Sequence, residues 1–231
     1  MSTAKNDAQG QQLTSDLFHA LSQPLTTLTC LLETALMRPS GPKQSRRDLQ
    51  TALVQVKAVT RLTRTLRELA DAGSAPRTKE TLALDDCLRE VVADLQPVAA
   101  AKRGGLLLAE SCSCRVNMAA SRLRPALYHL IQFAVDSSAA GEIAVTLQKR
   151  KRTAVIRITV PLGGAEAKGR ASRPSALEQQ RRRAEQSALE QRSRLSIARR
   201  VFENARGSVG YRHDGDGLQI VAVLPLVAMA R

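Results

Sequence analysis

His19 is the side chain whose surroundings in this 231-residue sequence most favour chemistry. It lies in the segment Phe18–Leu25, five residues before Pro24, within a leucine-spaced stretch typical of a helix. A neutral imidazole nitrogen is a good nucleophile near pH 7. At 100° per residue, His19 lies about 160° from Leu21, whereas five leucines fall within an arc of about 80°: Leu17, Leu21, Leu25, Leu28 and Leu32. We therefore expect the leucines to pack, the imidazole to face solvent, and His19 to carry phosphate.

Pro24 follows His19 by little more than one helical turn. Because proline has no N–H to donate to the carbonyl of Ala20, it is expected to bend or loosen the helix and leave room around the imidazole. The alternative interpretation is a surface histidine without chemistry, next to a chance kink.

The composition predicts an aliphatic core, since 43% of residues are hydrophobic while only 2% are aromatic and none is Trp. No run reaches the roughly 18 apolar residues of a membrane helix. The polar start, residues 1–12, has no signal-peptide core, so we expect a cytoplasmic protein without a membrane span. The cysteines at 30, 87, 112 and 114 do not form a disulfide framework pattern, and Cys112-x-Cys114 lacks the second pair that a zinc site needs.

The net charge of +14, from 35 Lys and Arg against 21 Asp and Glu, favours acidic partners. The densest clusters are Lys149–Arg152, between two strand-like runs, and Arg181–Arg183, in a polar helix. A solvated charged surface explains both clusters better than specific binding of nucleic acid, so nucleic acid is not an expected partner.

The first half of the chain predicts a helical hairpin after a flexible N-terminus at 1–12. One helix is expected over 13–37, a turn at Arg38–Pro42, and a second helix over 45–72 that ends at a linker, Gly73–Pro76. Both helices carry apolar seams that two helices alone cannot cover. The domain 13–75 is therefore expected to dimerise as a four-helix bundle.

The second domain, 76–231, mixes strands and helices. Alternation and capping signals predict these segments: strands at 81–84, 106–109, 115–118, 143–147, 154–160 and 218–226, and helices at 85–103, 121–138 and 175–205. A mobile loop is expected from Gly163 to Pro174, a helix end at Gly207, and a tight hairpin turn, rather than a calcium loop, at His213–Gly217. The fold class is α+β: the helical hairpin, then an α/β sandwich with one antiparallel or mixed sheet and helices on one face.

This order of elements resembles the core of a sensor histidine kinase, a dimerisation and histidine-phosphotransfer hairpin followed by a Bergerat-type ATPase domain. Three segments carry the resemblance: the phosphoacceptor-like box His19–Leu25, the run Arg122–Val135, and the run Leu195–Glu203 with Gly207 and the ending Leu224-Pro225-Leu226. The resemblance covers nearly the whole chain from Leu13.

The departures from that family imply a degenerate ATPase domain. His129 and Phe133 stand where the family carries asparagines for magnesium and phosphate, and hard Mg²⁺ prefers oxygen ligands. Pro161–Ala165 contains no carboxylate to read adenine. Arg192 and Arg194 replace the glycines that let the backbone approach triphosphate. These departures from the family imply that the chain binds no cofactor or metal, hydrolyses no ATP and does not autophosphorylate.

The resemblance implies that His19 is the phosphoacceptor of a histidine phosphotransferase, which exchanges phosphoryl groups with receiver-domain aspartates of response regulators. Ala20 replaces the usual carboxylate, so transfer would depend on magnesium held by the receiver. A homodimer is expected, and a hybrid histidine kinase is a further candidate partner.

Three alternatives stay open from the sequence. Gln23 could position a water for hydrolysis of a partner's phosphoaspartate, or be a solvated helix residue. The whole chain could be a catalytically inert dimeric docking module that binds or sequesters a kinase or regulator. It could also be an ATP-dependent kinase with an atypical pocket. His129 is interpreted as a packed histidine rather than a ligand.

Overall fold

The computed structural model describes residues 2–37, 41–74, 80–161, 174–214 and 217–227, and the side chains within them except those of 2–10, 42, 174–183 and 214. The helices are α1 (Ser2–Met37), α2 (Pro42–Gly73), α3 (Leu84–Ala101), α4 (Ala120–Ser137) and α5 (Pro174–Asn204). The strands are β1 (Glu80–Ala83), β2 (Gly104–Glu110), β3 (Arg115–Met118), β4 (Gly141–Arg150), β5 (Thr153–Pro161), β6 (Ser208–Asp214) and β7 (Gly217–Pro225).

The chain forms two compact units, and α5 contributes to both. The first unit comprises Met1–Asp71 with Gln179–Ser193, and the second comprises Ala72–Glu178 with Arg194–Arg231. The sequence predicted α5 as one helix of the second domain. Its first half instead packs with the hairpin, which makes the first unit three-helical.

The core of the first unit consists of leucines from all three helices. They are Leu13 and Leu17 of α1, Leu62 and Leu69 of α2, and Leu189 of α5. Pro24 is also buried, whereas Leu25 and Leu32 are 43% and 50% exposed. The buried face of α1 is thus rotated away from part of the predicted leucine stripe, because the packing of α2 and α5 decides which side is covered.

The second unit has two sheets where the sequence predicted one. A five-stranded mixed sheet has the order β2-β4-β5-β7-β6, with β2 and β4 parallel and the other neighbours antiparallel. β1 and β3 form a separate antiparallel pair, next to which Val116 bridges to Leu226. Strand-like patterning predicts that a strand exists, but its partner depends on contacts distant in sequence.

The helices of the second unit cover one face of the large sheet, as predicted. Alternate side chains of the two central strands are buried on that face: Ala154, Ile156, Ile158 and Val160 of β5, and Leu218, Ile220, Ala222 and Leu224 of β7. α4 packs against both strands, and Phe202 of α5 is fully buried. This layered core fixes α4 and α5, which carry the polar groups described below.

Several expected segments lie wholly or partly outside the described residues. They are the loop at 163–173, positions 38–40 of the first turn, positions 75 and 76 of the linker, positions 215 and 216 of the last hairpin, and the side chains of Arg181–Arg183. α1 begins at Ser2 rather than near residue 13. The basic turn is found at Lys151 and Arg152, between β4 and β5. Among the described helices, none combines the length and apolar character needed to cross a bilayer.

Candidate functional site

His19 lies on the exposed side of α1, opposite the buried Leu17 and Pro24. The helix continues through Pro24, although proline leaves the carbonyl of Ala20 without its usual helical donor. Hydroxyls near His19 bond back to the preceding turn: Ser22 Oγ donates to Phe18 O at 3.0 Å, and Thr27 Oγ1 donates to Gln23 O at 3.0 Å. The imidazole is therefore carried on a continuous helix and accessible to a partner.

Gln23 is exposed one turn after His19, and Asp16 lies one turn before it. Residues at i, i+3 and i+7 share one face of a helix. The face around His19 thus carries a carboxylate on one side and an amide on the other, while the following residue, Ala20, contributes no polar side-chain group.

The first half of α5 reaches this face of α1. Leu189 is buried in the first unit, and Glu190 Oε1 pairs with Arg61 Nη1 of α2 at 2.8 Å. Arg192 Nη1 lies 3.7 Å from Asp16 Oδ2. α5 therefore brings a guanidinium to the turn of α1 that precedes His19, which sequence reasoning did not predict.

Arg194, two residues later, belongs to the second unit and binds Asp136 at the end of α4. Lys102 Nζ lies 2.6 Å from Asp136 Oδ1, to which Gln132 Nε2 also donates at 3.0 Å. The carboxylate of Asp136 is thus held between two cations, with 19% of its side chain exposed. The resemblance placed Arg192 and Arg194 together, at the positions of the family's glycines. In the structure Arg192 belongs to the first unit and Arg194 to the second.

His129 and Phe133 lie on α4 near this cluster. Burial, with a smaller contribution from the charge of Arg194, lowers the pKa of His129 from 6.5 to about 4. The ring of Phe133 lies 6.1 Å from that of Tyr211 on β6. A neutral imidazole and a phenyl ring occupy these two positions, and Phe133 offers no oxygen to a cation. Burial and the charge of Arg194 also lower the pKa of Lys102.

Cys112 and Cys114 lie close together in the segment before β3, with their sulfur atoms 3.2 Å apart. Burial, and then the hydrogen bond with Cys112, raise the pKa of Cys114 to about 12, so its thiol stays protonated. A protonated thiol is a poor metal ligand and a poor nucleophile.

The comparisons with known proteins identify the fold. The sequence matches no protein-family model and no curated protein. Among solved structures, the histidine kinase AdeS of Acinetobacter baumannii has a TM-score of 0.63 at 16% identity, over 91% of this chain and 98% of that one.

Two larger structures are also similar. The histidine kinase ThkA in complex with the response regulator protein TrrA has a TM-score of 0.63 at 14% identity, over 95% of this chain and 63% of that one. Full-length ShkA in complex with AMPPNP has a TM-score of 0.59 at 17% identity, over 99% of this chain and 47% of that one. The chain therefore has the fold of a histidine kinase core, a histidine-bearing helical hairpin followed by an α/β domain of the ATPase type.

Proposed function

We propose that this chain is a histidine phosphotransferase of two-component signalling, in which His19 exchanges phosphoryl groups with receiver-domain aspartates. The observation that carries the proposal is the position of His19, exposed on the hairpin of a histidine kinase fold. The complex of ThkA with a response regulator supports receivers as the class of partner. A hybrid histidine kinase that carries a receiver is a further candidate.

The residues of the second unit support a phosphotransferase without autokinase activity. Phe133 has no oxygen for Mg²⁺, and Asp136, whose oxygens suit a hard cation, is already bound by Lys102 and Arg194. Lys102 and Arg194 are in turn paired with the carboxylate of Asp136 and are therefore not available to bind a triphosphate. These residues do not fit a magnesium nucleotide, so the proposed phosphate donor is another protein.

The transfer step needs only an accessible neutral imidazole on this chain. The lone pair of one His19 nitrogen attacks the phosphorus of the receiver's aspartyl phosphate, an N–P bond forms, and the O–P bond breaks to release the receiver carboxylate. The imidazolium then loses the proton of its other nitrogen to solvent. In the reverse direction the phosphoryl group returns to the receiver, whose own acidic site supplies the magnesium.

The test is transfer from a panel of phosphorylated receivers to the purified chain, resolved on gels that separate phosphorylated forms. We expect acid-labile label on the wild type and none on His19→Ala. His213→Ala is the matched control, because His213 is also exposed but lies on β6. ATP alone should give no label, and labelling by ATP would instead support an atypical kinase.

Gln23 is proposed to orient a water against the partner's phosphoaspartate. If so, Gln23→Ala slows net loss of phosphate from the receiver while transfer to His19 continues at the wild-type rate. Equal effects on both reactions would contradict this role.

A docking module without phosphotransfer is the second candidate, favoured by Phe18, an apolar side chain 56% exposed beside His19. It predicts that a receiver or kinase binds wild type and His19→Ala equally, with no label on either. We also propose a homodimer, because exposed apolar side chains run along both hairpin helices.

A further inference from the structure

We propose that Arg192 binds the phosphoryl group carried by His19, acting as a positioning residue supplied by α5. The inference rests on the proposed function, in which His19 is phosphorylated. It concerns a group of the first unit to which the sequence resemblance gave no role at His19.

Packing and charge fix the segment that carries Arg192. Leu189 is buried among the leucines of the first unit, and Glu190 pairs with Arg61. Ser193, the next residue after Arg192, is buried, and its Oγ donates to Leu189 O at 2.8 Å. Arg192 itself is 63% exposed, so its backbone is anchored while its guanidinium remains accessible.

Arg192 Nε donates to Ala188 O at 3.4 Å within α5, whereas the contact of Arg192 Nη1 with Asp16 leaves the terminal nitrogens able to change partner. A separation of 3.7 Å is too long for a hydrogen bond and marks a loose electrostatic pair. Asp16 and His19 are three residues apart on one face of α1, about 5 to 6 Å between their Cβ atoms. A guanidinium that reaches Asp16 therefore lies within a side-chain movement of a group on the His19 ring.

A phosphoryl group on His19 is the stronger partner for Arg192. It carries close to two negative charges, and its oxygens match the paired donors of a guanidinium. Asp16 carries one charge and competes for the same cation. We infer that Arg192 turns from Asp16 to the phosphoryl oxygens when His19 is phosphorylated, and that Asp16 limits how tightly it binds.

This exchange predicts opposite effects for the two members of one ion pair. Removing Arg192 removes a positive charge from beside the phosphoryl group, so the phosphoryl group becomes easier to protonate. Removing the charge of Asp16 frees Arg192 and makes the phosphoryl group harder to protonate. If the pair served only to hold α5 against α1, breaking it from either side would have the same consequence.

The experiment measures the protonation midpoint of phospho-His19 by ³¹P NMR, after labelling with phosphoramidate, a small donor that needs no receiver. His19→Ala identifies the His19 signal. Relative to wild type, Arg192→Ala should raise the midpoint by about 0.5 pH unit, a threefold change in proton affinity, and Asp16→Asn should lower it. Arg192→Lys should retain most of the wild-type value, and the effect of Asp16→Asn should shrink in the Arg192→Ala background.

Arg47→Ala is the control, because it removes one positive charge from the exposed side of α2 and leaves both ion pairs of the α5 segment in place. Its midpoint should equal that of the wild type. An unchanged midpoint in Arg192→Ala, or shifts of one sign in both Arg192→Ala and Asp16→Asn, would overturn the inference. Transfer from receivers is measured separately. Transfer with unchanged midpoints would refute the role of Arg192 alone. Shifted midpoints without transfer would refute the proposed function alone.

Discussion

The charges around Asp136 distinguish the second unit from the ATPase domain that its fold resembles. Its carboxylate, only partly exposed, accepts from Lys102 and Arg194, and the charge of Arg194 also acts on His129. Removing one member of such a cluster leaves an uncompensated charge of low exposure, which costs more than the intact pairs gain. The cluster therefore ties α3, α4 and α5 together through charge.

His129 makes the stability of the second unit depend on pH. Its pKa of about 4 in the folded chain lies below the ordinary value of 6.5. Between these values the unfolded chain binds a proton that the folded chain does not, so stability falls as the pH drops from 6.5 towards 4. We expect a loss of about 2 kcal/mol between pH 7.5 and pH 5 from this group.

The measurement is urea unfolding of wild type and His129→Gln at the two pH values. The variant should lose about 2 kcal/mol less than the wild type over this interval. His213→Gln, at an exposed histidine, should behave as the wild type does. The same acid loss in His129→Gln would show that other groups cause it.

The exposure of His19 could be predicted from the sequence, because its segment carries a local pattern of leucines and a proline. The charge cluster could not be predicted, because the partners of Asp136 are 34 and 58 residues away. Sequence reasoning also missed the contact between Asp16 and Arg192, which depends on the packing of α5 on α1. Local spacing predicts an exposed side chain, whereas only the fold brings distant charges together.

The end of α5 illustrates how an element can be predicted correctly for an incomplete reason. Gly207 was expected to close the helix, yet the left-handed conformation is adopted by Arg206, with φ of 59°. Gly207 donates to Phe202 O at 2.8 Å and lies against β7, where an added Cβ would come within 2.2 Å of Val223 O. The glycine is needed for close approach of two backbones.

Gly207→Ala should therefore destabilise the fold by about 2 to 3 kcal/mol, because neither backbone can move away without disturbing the β6–β7 pairing. Gly210→Ala is the matched control on β6, since its added Cβ would meet nothing within 4 Å. It should change stability by less than about 0.5 kcal/mol. Urea unfolding followed by circular dichroism compares the two, and equal losses would contradict the close-approach explanation.

Most elements follow from local patterns, and the exceptions have physical causes. β3 matches its predicted span, 115–118, and α2 and α4 match theirs within a few residues. The start of α1 did not, because residues 2–12 lack the apolar periodicity on which the prediction depended. The separate β1–β3 pair and the division of α5 between two units depend on tertiary contacts, which periodicity does not encode.

At the scale of the whole molecule, most of the large apolar side chains that are exposed among the described residues lie on the hairpin. Phe18, Leu25, Leu32 and Leu36 are exposed within about 40° of one another on α1. Leu49, Leu53 and Val56 form a similar exposed stripe on α2. Exposed apolar side chains at helical spacing are costly in water and are typical of interaction surfaces.

A dimer that buries these stripes as a four-helix bundle gives the final prediction. Leu49→Asp/Leu53→Asp places two carboxylates in the proposed seam, where they would lose hydration without a partner, so the dimer should dissociate. Light scattering coupled to size-exclusion chromatography should give a mass of about 50 kDa for wild type, twice the 25.0 kDa chain, and about half for the variant.

Val54→Asp is the control, because Val54 is equally apolar and 62% exposed but lies about 140° from Leu49 around α2. It should remain dimeric. A monomeric wild type, or dissociation of both variants alike, would place the leucine stripes outside any self-association surface and leave them to a different protein partner.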